Sequence, residues 1–145
     1  MDPAEFSRRI RLYANRAGEL GDRAVMAASS AVLHELVQST PVDTGRAISN
    51  WQVGVGSAPA DEIPPHVPGT KGSTAEANRS IAEQLGDEQL AGYVSGRGQA
   101  IHIVNNAKHI GALNDGHSRQ APAGFVEAAV QRGRAAVRGV RVGLN

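Results

Sequence analysis

The chain has 145 residues, room for one domain and too few for two comfortable ones. Its 15 Lys and Arg stand against 14 Asp and Glu, so net charge argues neither for nucleic acid nor for an anionic membrane. Cysteine is absent, which excludes disulfides and thiolate metal sites and fits a reducing cytosol.

No apolar run approaches the ~20 residues of a membrane span. The N-terminus also lacks the apolar block of a signal peptide, so a soluble, unsecreted chain is expected. Of the hydrophobic residues 23 are alanine and only five are Phe, Trp or Tyr. Burial stabilises by roughly 25 cal/mol per Å², and alanine offers little area. A thin core follows, one that neighbouring subunits are expected to supplement.

Asp2-Pro3 reads as a helix start, a capping Asp followed by Pro at the first helical position. Phe6, Ile10, Tyr13, Ala17, Leu20, Ala24, Ala28 and Ala31 recur at steps of three and four, continued by Val32 and Leu36. This predicts one long amphipathic helix that Pro41 ends, with a bend allowed at Gly18 and Gly21. Asp43 or Thr44 is expected to cap a short helix carrying Ala47 and Ile48. Trp51, Val53 and Val55 alternate as a strand does.

Residues 56–74 hold four of the seven prolines and three glycines, so an extended, mobile loop is expected there. Ala75 to Leu90 reads as a helix interrupted near Gly86. Residues 93–95 and 100–104 read as a hairpin around Gly96-Arg97-Gly98. A short helix from Lys108 to Leu113 stops at Asn114-Asp115-Gly116. A last helix from Gly124 to about Val140 carries the stripe Val126, Val130, Gly133, Val137, Val140. The class is α+β, with a long N-terminal helix and a C-terminal helix on a small antiparallel sheet.

The triplet Asp43-Thr44-Gly45 matches the catalytic triplet of aspartic proteases, but its context does not. A catalytic copy ends an apolar strand and faces a second carboxylate. Here a helix end and a proline turn precede it, which makes it a turn. His34, His66, His102, His109 and His117 lack the close pairing of metal ligands, so no metal or other cofactor is expected. Gly69-Thr70-Lys71-Gly72-Ser73-Thr74 has the wrong order for a phosphate loop. Arg134, Arg138 and Arg141 share one flank of the last helix. They read as a solvated face, with contact to DNA phosphates as the sharper alternative.

Two stretches, TPVDTGRAISNW (40–51) and AIHIVNNAKHIGALNDGHSRQAPAGFVEAAV (100–130), go beyond such patterning. In order and separation they resemble the tail-completion or neck proteins of long-tailed bacteriophages, the minor tail protein Z-like group. The likeness covers most of the chain. It departs where His102 and His109 replace frequent tyrosines and Lys108 a frequent proline.

The resemblance implies a non-enzymatic structural virion protein. It would form a homo-oligomeric ring at the head-proximal end of the tail after assembly in the host cytoplasm. Neighbouring tail-terminator, tail-tube or head–tail connector proteins would be its partners, with genomic DNA in the channel and no membrane. A tail terminator or head-side stopper is the alternative, and a nucleic-acid-binding module a further one. On this reading Pro41, Asp43, Thr44, Gly45, Arg46 and Trp51 build the structural turn. Ile63, Val67, Asn114, Asp115, Gly116 and Phe125 are the interface candidates.

Overall fold

The computed structural model describes residues 2–116 and 123–140, without the side chains at 13, 14, 16 and 17. Five helices and two strands follow in the order α1 (Pro3–Ser39), α2 (Arg46–Ser49), β1 (Trp51–Val55), α3 (Ala75–Leu90), β2 (Ile101–Asn105), α4 (Ile110–Asn114) and α5 (Phe125–Val137). This is the α+β arrangement expected. β1 and β2 form a two-stranded antiparallel sheet in which Trp51 faces Asn105 and Val55 faces Ile101.

α1 begins and ends as its sequence dictates. Asp2 Oδ1 accepts from Glu5 N–H at 2.8 Å, and Pro3 opens the helix. Thr40 closes it in an extended conformation just before Pro41, and the helix runs unbroken through Gly18 and Gly21. The Thr40 hydroxyl donates to the Leu36 carbonyl and accepts from the Trp51 indole N–H at 2.7 Å. Trp51 is buried, as expected, and this relay ties the end of α1 to the start of the sheet.

The core gathers Leu33, Leu36, Val37, Val42, Ile48, Trp51, Val53, Ala82, Leu90, Phe125 and Ala129. It engages only the C-terminal part of α1. Towards the N-terminus the expected apolar face is bare: Phe6 is 57% exposed, Ile10 52% and Leu20 43%.

Three expectations need correction. The hairpin over 93–104 does not form, because β2 pairs with β1 instead. Tyr93 is drawn to α1, where its hydroxyl donates to Asp22 at 2.8 Å, and Gly96 and Gly98 turn with positive φ. α3 is not interrupted at Gly86, which is buried. A Cβ there would overlap Leu33, so the glycine marks close packing of α3 on α1.

The stripe of α5 is also different. Phe125, Ala129 and Gly133 form its buried face, while Val130 and Val137 are exposed. The smallest residues win because they let the helices approach most closely. A Cβ on Gly133 would overlap Val32 Cγ2 and lie 3.2 Å from the Ala28 carbonyl oxygen.

Gly133→Ala should therefore lower stability by about 1–3 kcal/mol from overpacking, although alanine is the better helix former. Gly18→Ala, in open space, should raise helicity instead. Far-UV circular dichroism with thermal melting checks both, and a stabilised Gly133→Ala would refute the close contact. Trp51→Ala should cost about 3–5 kcal/mol in the same melts, and Trp51→Phe about 1 kcal/mol through the lost bond to Thr40.

Candidate functional site

The Asp-Thr-Gly turn occupies the junction between α1 and the sheet. Gly45 has φ +88°, and a Cβ there would overlap the Asn78 amide, so the position demands glycine. Gly45 is itself the residue before α2, and no side chain caps that helix. The expected capping role of Asp43 is thus corrected. Asp43 reaches across to the far end of the loop, where its Oδ1 accepts from Lys71 N–H at 2.7 Å. Its carbonyl accepts from Gly72 N–H at 2.9 Å. Thr44 Oγ1 lies a weak 3.4 Å from Arg46 N, and the Arg46 guanidinium bridges Glu62 at 2.8 Å.

The 56–74 segment has no helix or strand, yet it is tied to its own subunit rather than free. Two amides carry much of this. Asn50 donates to the Ile63 carbonyl and accepts from the Ile63 N–H, both at 2.8 Å. Asn78 treats Val67 the same way, at 2.8 Å in each direction. Ser49 adds a bond from His66 N–H at 3.0 Å and donates to Asn78 at 3.1 Å.

Each asparagine thus does for one loop residue what a neighbouring strand would do, satisfying both peptide groups. Ile63 and Val67 are half-buried, with their backbones engaged inside the subunit. The polar trio Ser49, Asn50 and Asn78 escaped the sequence reading. One signal was there: Asn78 precedes Ala82 and Gly86 at steps of four, on the buried face of α3.

The Leu-Asn-Asp-Gly segment also works internally. Asn114 Oδ1 accepts from Val126 N–H at 2.9 Å, and its amide donates to Glu127 at 3.0 Å. Its carbonyl accepts from Gly124 N–H at 2.8 Å, so α4 supplies the missing cap of α5. Asp115 and Gly116 stay exposed, Gly116 at φ +91°. Phe125, expected at an interface, belongs to the core of its own chain at 4% exposure, because it opens the buried face of α5.

Arg134 and Arg138 are exposed on α5, and Arg141 and His117 lie outside the described residues. His102 is half-buried in β2 and His109 precedes α4. Among the described residues no group of three or more His, Asp or Glu could hold a metal ion. No described helix is long and apolar enough to cross a membrane.

Among the described residues two concavities stand out. The larger, about 670 Å³, lies over the turn between Val42, Asp43, Arg46, Ala107, Lys108 and Leu113. The smaller, about 360 Å³, lies between α3, β1 and the loop, lined by Trp51, Pro59, Ile63, His66, Leu85 and Gln89 among others. Burial pushes the His66 pKa below its ordinary value, which keeps the ring neutral at pH 7. Compared with known proteins, the chain matches no family model, no curated protein and no solved structure.

Asn78→Ala should strip Val67 and Ser49 of their partners at a cost of about 1–3 kcal/mol per orphaned group. Limited proteolysis should then cut within 63–74, where the wild type resists. Asp43→Asn should be near neutral, since an amide oxygen can accept from Lys71. Asp43→Ala should cost about 1 kcal/mol and speed hydrogen exchange at Lys71. Unchanged exchange there would remove the loop-pinning role.

Proposed function

We propose that the chain is a structural virion protein, a ring-forming subunit that completes the head-proximal end of a phage tail and joins it to the head. One observation supports this most: the N-terminal half of α1 is a helix with an apolar seam that its own subunit does not cover. Helices gain most of their stability from a packed amphipathic face, so such an arm invites a neighbour. A closed ring gives every arm one. The residues of the resemblance meanwhile serve the subunit interior. Asp43, Gly45, Trp51, Asn114 and Phe125 form the rigid body from which the arm projects.

The neighbours in this reading are further copies and the adjoining tail-tube, terminator or connector proteins. Genomic DNA passes through the channel. Arg134 and Arg138 are exposed and available to its phosphates, and such contact would weaken steeply with salt.

Native mass measurement tests the reading directly. The wild type should form a closed oligomer, and Phe6→Glu with Ile10→Glu should give monomers. Both positions are exposed, so the melting temperature of the folded body should hold. Phage lacking this protein should yield separate heads and tails. Intact infectious particles without it would overturn the proposal.

A further inference from the structure

A two-stranded sheet has two outer edges, and the register fixes what each one presents. Residues of an antiparallel pair alternate between bonding each other and turning their N–H and C=O away. The Gly56 N–H donates to the Ala100 carbonyl at 2.8 Å, one step beyond the Val55–Ile101 pair. Counting back by twos, Gly54 bonds His102 and Gln52 bonds Val104. Trp51, Val53 and Val55 therefore turn their N–H and C=O outward on β1, as Ile101, Ile103 and Asn105 do on β2. Among the described residues these outward groups have no partner.

Neither edge is protected in the usual way. Proteins blunt exposed edges with lysine, proline or a bulge. WQVGV (51–55) and IHIVN (101–105) contain no proline and no Asp, Glu, Lys or Arg, and their register runs through without a bulge.

The edge of β1 also lies in a slot. Val53 Cγ2 is on the α3 side, 3.3 Å from where a Gly86 Cβ would stand, whereas a Gly54 Cβ would run into Ser57 and Pro59 of the loop. The smaller concavity touches both layers and β1 but no residue of β2, so it follows the outer edge of β1. Leu85 stands on one wall, Pro59 and Ile63 on the other, and among the described residues no Asp, Glu, Lys or Arg lines it. Trp51 and Val53 are only 6% and 5% exposed, so water has little access to their outward groups. The slot suits an uncharged strand with free N–H and C=O groups. β2 is such a strand. Within one chain the free edges of β1 and β2 lie on opposite sides of the sheet and cannot meet, but between copies they can.

We propose that β2 of one copy adds to the outer edge of β1 of the next, antiparallel, with Ile103 opposite Val53. The proposal rests on the ring reading and supplies a contact besides the uncovered arm. Side-chain alternation agrees with it. Ile101 and Ile103 share the core face with Trp51 and Val53, so they arrive at the Leu85 wall, and Val104 arrives at the Pro59 wall. A second copy is selected because the two edges are complementary. One contact repeated head to tail covers both edges of every copy, and closing the ring leaves none. A foreign strand would cover one edge and leave the other bare, and β2 paired with β2 about a twofold axis would leave every slot empty.

Proline tests the edge directly, because the N–H lost at residue 103 points away from the subunit's own ladder, where an edge strand tolerates it. Ile103→Pro should weaken assembly at least about tenfold in native mass titrations, and Ile103→Val should change it by less than about twofold. Residue-resolved hydrogen exchange reports whether the variant has folded. In the Ile103→Pro monomer the Gly54 amide should stay protected while the Val53 amide exchanges freely, and in the wild-type oligomer both should be protected. Should Ile103→Pro fail to fold, His102→Lys places a charge on the same edge, away from the core, and the same loss is expected. The chain has no cysteine, so only engineered pairs can cross-link. Gln52→Cys and Val104→Cys chains, mixed and oxidised, should give a dimer on a non-reducing gel, and each alone should not. Val104→Cys chains that cross-link to one another would put β2 against β2 and overturn the head-to-tail contact. An oligomer that keeps a fast-exchanging Val53 amide, or that tolerates both edge substitutions, would overturn this contact and leave the ring reading standing. A monomer at every concentration would overturn both.

Discussion

A side-chain amide can meet both the N–H and the C=O of a single residue, and Asn50 and Asn78 each do so for one residue of the loop. The rest of the structure depends on this. A core of eleven side chains cannot hold nineteen residues without helix or strand by burial alone, and ordering each residue costs roughly 1–2 kcal/mol. Buried amides achieve it with directed bonds in a low-dielectric interior, where an unmade bond is expensive and a made one is therefore specific. Asn50 and Asn78 are fully buried, so water does not compete for their bonds. The loop then becomes part of the body, along with the groove it walls.

The local features of this fold were legible in the chain. Asp2-Pro3 and Pro41 bracket α1 because capping and the missing proline donor act within one turn. The alternation from Trp51 to Val55 marks β1 because side-chain period depends only on neighbours. What depended on contacts between distant residues was not legible. β2 pairs across about fifty residues with β1, and nothing near Ile101 indicates the partner. Glycine shows the same divide. Gly86 and Gly18 read alike in a helical window, yet one lies against Leu33 and the other in open space.

The candidate site divides in the same way. That Asp43-Thr44-Gly45 is a turn followed from Pro41 and the preceding helix. That Asp43 bonds Lys71 rather than α2 did not follow, because the loop between them has no periodic signal. The interface candidates met a related difficulty. Phe125 and Asn114 look like surface features in sequence because glycines and polar residues surround them, yet each completes α5 from within. Exposure of Val130 and Val137 is the complementary surprise: hydrophobicity named those valines, whereas closeness of approach set Ala129 beside the expected Gly133 on the buried face.

These facts describe a molecule polarised along α1. From Ala28 onward the helix is packed by α5, α3 and the sheet, and removing a side chain there disturbs several elements together. Before Asp22 its described side chains meet little besides solvent, and the Glu5–Arg9 ion pair there is exposed and contributes little. Such a stretch adds little to the stability of the fold, because a helix without a packed face is held only by its own backbone bonds. About 27 Å separates Pro3 from Gly21 along the axis, enough to carry Phe6 clear of the packed body. One continuous helix thus belongs to the packed body at its C-terminal end and, at Phe6 and Ile10, to the solvent at the other.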